Sequence, residues 1–147
     1  MTLVIRPLEH SDRAAWAPLW QGYLEFYKTS VPQEVTDETW RRFMDPAEPV
    51  HALGAFENGR LLGIVHYLFH RSTWTIGDRC YLGDLFTVPE ARGKGAGRAL
   101  IERVYAEAKA AGASRVYWQT HESNTAAQAL YDRLAEKSGF IIYRKDV

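Results

Sequence analysis

The 147-residue chain predicts an α/β (α+β) fold on three observations. Two apolar runs, His51–Glu57 and Arg60–Arg71, flank Asn58-Gly59, the signature of a β-hairpin with a type I′ turn. A third strand-like run, Cys80–Val88, passes through Pro89 into a glycine-rich loop and then a helix. Segments of helical periodicity lie before and after these strands, with no internal repeat among them.

Thr2–Arg6 is β-branched and apolar, is ended by Pro7, and reads as a short strand. Ser11 or Asp12 caps a helix that runs to Lys28. It carries Trp16, Trp20, Tyr23 and Tyr27 at i, i+4, i+7 and i+11 on one face. Thr29–Pro32 breaks it. A second helix, Thr36–Met44, starts at a Thr36/Asp37 cap and stops at Asp45-Pro46. After the hairpin, Ser72–Asp78 is a loop and Cys80–Val88 is the third long strand. Pro89 has no N–H to give a ladder, so the strand ends there. A helix from Gly95 to Ala111 turns Leu100, Ile101, Val104 and Ala108 to one side, with Gly112 as its stop. Arg115–Thr120 is a strand. Ser123 or Asn124 caps a last helix to Lys137, with Ala127, Leu130, Tyr131 and Leu134 at helical spacing. Ser138-Gly139 stops it, and Phe140–Arg144 is a final strand. Residues 1–147 make one domain, a length at which roughly 68–70% of the unfolded surface is buried without covalent staples.

Composition excludes several classes. An apolar share of 46% with 13% aromatics excludes a disordered chain. One cysteine, Cys80, excludes an internal disulfide and a cysteine-based zinc site. His66 and His70 share a strand face, but four residues of strand span ~13 Å, too far for one metal. The longest apolar run, Leu61–Phe69, is interrupted by His66 and is too short for a membrane helix. Met1–Asp12 has no apolar core of a secretory signal, which predicts a cytoplasmic protein. A net charge of zero argues against a dedicated nucleic-acid binder. The zero conceals a split: residues 1–78 hold 7 basic and 10 acidic side chains, residues 79–147 hold 11 and 8.

The loop Arg92-Gly93-Lys94-Gly95-Ala96-Gly97-Arg98 is built for an anion. The first N–H groups of a helix have no partner within it and carry partial positive charge. Glycines let a backbone approach a ligand closely, and Arg92, Lys94 and Arg98 add formal charge. A Walker A loop fails, because Lys94 is followed by Gly95 rather than Ser or Thr. A dinucleotide loop fails on spacing and lacks an acidic residue about twenty positions on. A coenzyme A pyrophosphate loop is the remaining nucleotide candidate.

Arg92-x-x-Gly95-x-Gly97 resembles the R/Q-x-x-G-x-G/A signature of the GCN5-related N-acetyltransferases (GNAT). Tyr81–Leu100 is similar to that family's fourth strand, loop and third helix, and Asn124-x₆-Tyr131 to its fourth-helix motif. The resemblance covers essentially the whole chain and is nearest the branch that includes histone and polyamine acetyltransferases. It implies a twisted, mixed but mostly antiparallel sheet of six to seven strands flanked by four helices. It also implies transfer of acetyl from acetyl-CoA to a primary amine by direct attack, without a metal.

The resemblance then assigns residues. Arg92, Gly93, Lys94, Gly95, Ala96, Gly97 and Arg98 hold the pyrophosphate, and Leu85, Phe86, Thr87 and Val88 offer backbone to the pantetheine arm. Asn124 joins them, or simply caps its helix. Tyr131 protonates the leaving thiolate; on the residues alone it reads first as a core aromatic beside Leu130 and Leu134. Asp84 or Glu122 takes the amine proton, and either fits a purely structural carboxylate as well. Relatives often carry Glu where this chain has Gly83. Tyr23 and Tyr27 are the candidate acceptor contacts, beside Glu25, Glu34 and Glu38, on a stripe that core packing would also explain. The acceptor is a small-molecule amine or polyamine; the alternatives are a protein lysine or N-terminal acceptor, or a non-catalytic coenzyme A-binding module. A thinly covered sheet edge predicts a homodimer.

Overall fold

The computed structural model describes residues 2–147. Five strands form one sheet in chain order: β1 (Val4–Pro7), β2 (Val50–Glu57), β3 (Arg60–His70), β4 (Arg79–Thr87) and β5 (Val116–Tyr117). The first four pair antiparallel, and β5 lies parallel to β4. The helices are α1 (Arg13–Phe26), α2 (Gln33–Met44), α3 (Ala96–Ala110) and α4 (Thr125–Tyr131). The mixed, mostly antiparallel sheet with four helices is as the sequence predicts.

Asn58 and Gly59 have φ of 50° and 78°, the two positive values a type I′ turn demands. That turn sets Glu57 opposite Arg60 and so fixes the hairpin register. The second helix begins earlier than its expected cap. Pro32, with φ of −55°, leads directly into it. Thr36 therefore lies inside the helix, where its hydroxyl accepts the Trp20 indole N–H at 3.1 Å.

The sheet divides two cores. On one face Leu53, Val65, Cys80 and Leu82 pack against Leu100, Ile101 and Val104 of α3. On the other, Leu8, Phe56, Leu61 and Ile64 meet Trp16 and Leu19 of α1 and Trp40 of α2. Each fully buried large aliphatic stabilises the fold by about 1.5–3 kcal/mol. Cys80 is completely buried, and burial pushes its thiol up to about 11, so it is packing rather than a nucleophile. Gly22 lets α1 lie close on β4: a Cβ there would stand 2.8 Å from Phe86 Cζ.

Four expectations are corrected. The sheet has five strands rather than six to seven among the described residues. Phe140–Arg144 is not a strand, since no strand among the described residues pairs with it; Phe140, Ile141, Ile142 and Tyr143 are 67–88% exposed. The fifth strand covers only Val116–Tyr117 of the expected Arg115–Thr120, because its ladder with β4 is two pairs long. The last helix also ends at Tyr131 instead of Lys137. It has no buried residue, and a short helix without a buried face is marginal. Beyond Tyr131 the chain winds into turns, with Arg133 N–H on Leu130 O at 3.1 Å and Leu134 N–H on Tyr131 O at 3.0 Å.

Candidate active site

The glycine loop joins β4 to α3. Gly93 and Gly95 both have φ of 80°, a left-handed conformation that glycine adopts without strain. No side chain caps α3, and its first internal bond runs from Ala99 N–H to Gly95 O at 3.0 Å. The N–H groups of Ala96, Gly97 and Arg98 therefore open the helix without intrahelical partners. Lys94 reaches Glu57 at 3.4 Å and Arg98 reaches Glu102 at 2.8 Å, while Arg92 is exposed.

The parallel ladder between β4 and β5 holds only Cys80↔Val116 and Tyr81↔Tyr117. From Leu82 onward β4 has no partner on that side. Its other side stays on β3, with an irregularity in register between His66 and Tyr67 that leaves Gly83 as the extra residue. Val88 N–H bonds Leu62 O at 2.9 Å. Antiparallel alternation then turns Phe86 N–H toward β3 as well, and turns the N–H groups of Leu85 and Thr87 into the open side. Of the four predicted backbone contacts, Leu85 and Thr87 offer donors to the opening. Phe86 and Val88 pack their side chains against the α1 core.

Asp84 and His66 face each other across β3 and β4 on the α1 side. His66 is buried, and its two nitrogens are both engaged. Trp16 Nε1 donates to Nε2 at 3.0 Å, and Nδ1 lies 2.9 Å from Asp84 Oδ2. An indole N–H can only donate, so Nε2 is the acceptor and Nδ1 carries the proton. His66 is thus a neutral donor to the Asp84 carboxylate, which keeps 28% of its side-chain exposure.

Tyrosines surround that carboxylate. The α1 stripe runs as a chain of rings, Trp16 to Trp20 at 6.1 Å, Trp20 to Tyr23 at 5.5 Å and Tyr23 to Tyr27 at 4.9 Å. It starts fully buried at Trp16 and ends exposed at Tyr27. Burial and then the neighbouring Asp84 charge raise the phenols of Tyr23, Tyr27 and Tyr81. Tyr131, at the end of α4, stacks edge-on to Trp118 at 5.4 Å. Its phenol is raised by burial and then by Tyr27, which brings α4 to the same opening as α1. Tyr23, Tyr27, Tyr81, Tyr131 and Asp84 converge there from α1, β4 and α4.

The other candidates stand apart. Glu122 is exposed in the turn before α4, its carbonyl held by Gln128 Nε2 at 2.9 Å. Asn124 caps α4, accepting Ala127 N–H at 3.3 Å. Most of the acidic excess of the α1–α2 region is internally neutralised. Asp37 pairs with Arg13, Glu38 with Arg41 and Arg42, and Asp45 and Glu48 with Arg41. His70 binds the Tyr117 hydroxyl at 2.6 Å. Sequence inspection weighed His66 only as a metal ligand and missed its bond to Asp84. The signal was present in the alternation that puts both on one face, but not their pairing.

Residues 16–135 match the Acetyltransferase (GNAT) family. The chain belongs to the GNAT family. It is an acetyl-CoA-dependent N-acetyltransferase. It is 39% identical over 146 residues to the D-amino-acid N-acetyltransferase HPA3 of Saccharomyces cerevisiae, covering 98% of this chain and 91% of that protein. It is 32% identical over 154 residues to the thialysine N-epsilon-acetyltransferase of Mus musculus, covering 95% and 90%. The GNAT fold is shared with AAC(6')-Iy in complex with the bisubstrate analog CoA-S-monomethyl-acetylneamine. The TM-score is 0.86 and the identity 16%, over 100% of this chain and 99% of that one.

Proposed function

We propose that this GNAT enzyme acetylates a primary amine of a small molecule, an amino acid-like amine or a polyamine, at the opening between α1, β4 and α4. The observation that carries this is the Asp84 carboxylate, held by His66 and ringed by tyrosines, beside a strand that turns free N–H groups outward. An alkylammonium has a pKa near 10.4 and must lose a proton before it can attack. Asp84 accepts that proton, directly or through a water, and Tyr23 and Tyr27 bind the amine with their ring faces. The free amine nitrogen attacks the thioester carbon. An N–H from Leu85 or Thr87 holds the developing oxyanion. The C–S bond breaks, the nitrogen gives its second proton to solvent as the amide forms, and the Tyr131 O–H protonates the thiolate; solvent then restores the phenol and takes the proton held by Asp84. The Arg92–Arg98 loop grips the pyrophosphate. Glu122, exposed in the turn before α4, is the weaker candidate for this role.

The substrates for which these relatives are named, D-amino acids and thialysine, are small amines and support this acceptor class. We read residues 1–147 as one catalytic domain that works as a homodimer in the cytoplasm, needs no metal, and engages neither nucleic acid nor membrane. No helix is long and apolar enough to cross a membrane among the described residues. The acceptor is tested by kcat/KM across polyamines, D- and L-amino acids, and lysine peptides. A small amine is expected to exceed every peptide by at least about tenfold, which is roughly 1.4 kcal/mol in the transition state. Peptides turning over faster would make it a protein acetyltransferase instead.

A further inference from the structure

The α1 face of β4 carries a second charge besides Asp84. Cys80 and Leu82 turn into the α3 core, so alternation turns Arg79 and Tyr81 to the α1 face. The extra residue at Gly83 then brings Asp84 onto that same face, where unbroken alternation would have turned it toward α3. Arg79 lies opposite His70 and Asp84 opposite His66, four residues apart on β3, or ~13 Å along the strand. Tyr81 stands between the two charges.

Arg79 is half-buried and uncompensated. Its Nε is shielded from solvent without a hydrogen-bond partner, a costly state for a charged donor. No carboxylate among the described residues pairs with it; Asp78, its neighbour in sequence, pairs instead with Arg71 at 2.9 Å. The guanidinium lies over the Trp74 ring at 5.9 Å. It also lies near the Tyr117 phenol, which burial raises and the Arg79 charge draws back down. His70 Nε2 holds the Tyr117 hydroxyl at 2.6 Å, and the Tyr117 ring is 5.1 Å from that of Tyr81. Burial and then the Asp84 charge raise the Tyr81 phenol. Tyr117 and Tyr81 thus link Arg79 to Asp84 as one aromatic wall.

We propose that Arg79 binds a carboxylate of the acceptor, and that the acceptor is an ω-amino acid whose terminal amine reaches Asp84. This deepens the small-amine reading above and rests on it. One positive and one negative charge at the two ends of a wall complement a zwitterion. A polyamine would set a second cation against Arg79. A phosphomonoester would bring about −1.5 to −2 where one positive charge answers it. A lysine inside a peptide has no free carboxylate to offer. An α-amino acid carries both charges around one carbon and cannot pass Tyr81 to reach both partners.

The test compares three acceptors of equal chain length: ε-aminocaproate, n-hexylamine and hexamethylenediamine. Wild-type kcat/KM for ε-aminocaproate should exceed both others by about 10–100-fold, the scale of a hydrogen-bonded charge pair. Arg79→Gln should bring ε-aminocaproate down to the level of n-hexylamine. Arg79→Lys should recover part of the preference, because it keeps the charge and loses the planar fork. Free lysine should be acetylated at Nε, as read by fragmentation in the mass spectrometer. A wild type that takes either carboxylate-free amine as well as ε-aminocaproate, or that acetylates lysine at Nα, overturns this site and leaves the small-amine reading standing. An Arg79→Gln enzyme that keeps the preference, or loses every acceptor alike, removes Arg79 from substrate binding. Turnover of no small amine overturns the small-amine reading itself, and this site with it.

Discussion

Tyr131→Phe is expected to lower kcat by roughly 10²–10⁴-fold, the contribution of a positioned general acid. Acetyl-CoA affinity should move little, because the ring is retained and continues to pack on Trp118. The sign of the pH dependence follows from the environment of the phenol. Burial and Tyr27 raise it above its ordinary value near 10, so the acid is protonated throughout the neutral range. A descending limb of kcat governed by Tyr131 therefore lies above about pH 10 in the wild type, and it should vanish in the phenylalanine variant. Steady-state kinetics across pH, with calorimetry for binding, separate the two effects. An unchanged kcat would remove Tyr131 as the acid.

Gly97→Trp is expected to abolish acetyl-CoA binding while leaving the fold intact. Gly97 sits in the first turn of α3 without a positive φ, and a Cβ there meets only Leu130 Cδ2, at an ordinary 3.6 Å. The protein itself tolerates a side chain; Gly97→Ala should even stabilise the helix by roughly 0.5–1 kcal/mol. A large side chain would instead crowd the space beside Leu130 and the N–H groups of Ala96, Gly97 and Arg98 that we propose the pyrophosphate approaches. Calorimetry should detect no binding at concentrations that saturate the wild type, with the melting temperature held within a few degrees. Unchanged affinity would sink the pyrophosphate assignment of this loop.

What was legible in the sequence was local. Asn58-Gly59 fixes its own turn, because only residues that tolerate positive φ form it. The glycine loop is likewise readable, since its spacing specifies the backbone conformation. The failures lie where structure depends on distant partners. Phe140–Arg144 has the composition of a strand, but a strand needs an edge, and within one chain it has none. The sequence offers His66 only as half of a His66/His70 metal pair. Its role depends on Trp16, fifty positions away, and on a register irregularity that sets it opposite Asp84. In the sequence Glu38 lies beside the candidate acceptor contacts, whereas in the fold Arg41 alone engages Glu38, Asp45 and Glu48. What carries over to the acceptor site is the single carboxylate of Asp84, reached by alternation along β4.

The central claim is that the opening between α1, β4 and α4 transfers acetyl to a primary amine. It is met most directly by counting thiol released from acetyl-CoA against acetylated amine by mass spectrometry, over the same amine panel. The account predicts one thiol per acetylated amine, release that depends on the amine, and a rate that collapses in the Asp84→Asn/Tyr131→Phe double variant. Tight binding of coenzyme A with no amine-dependent release from any acceptor would contradict it.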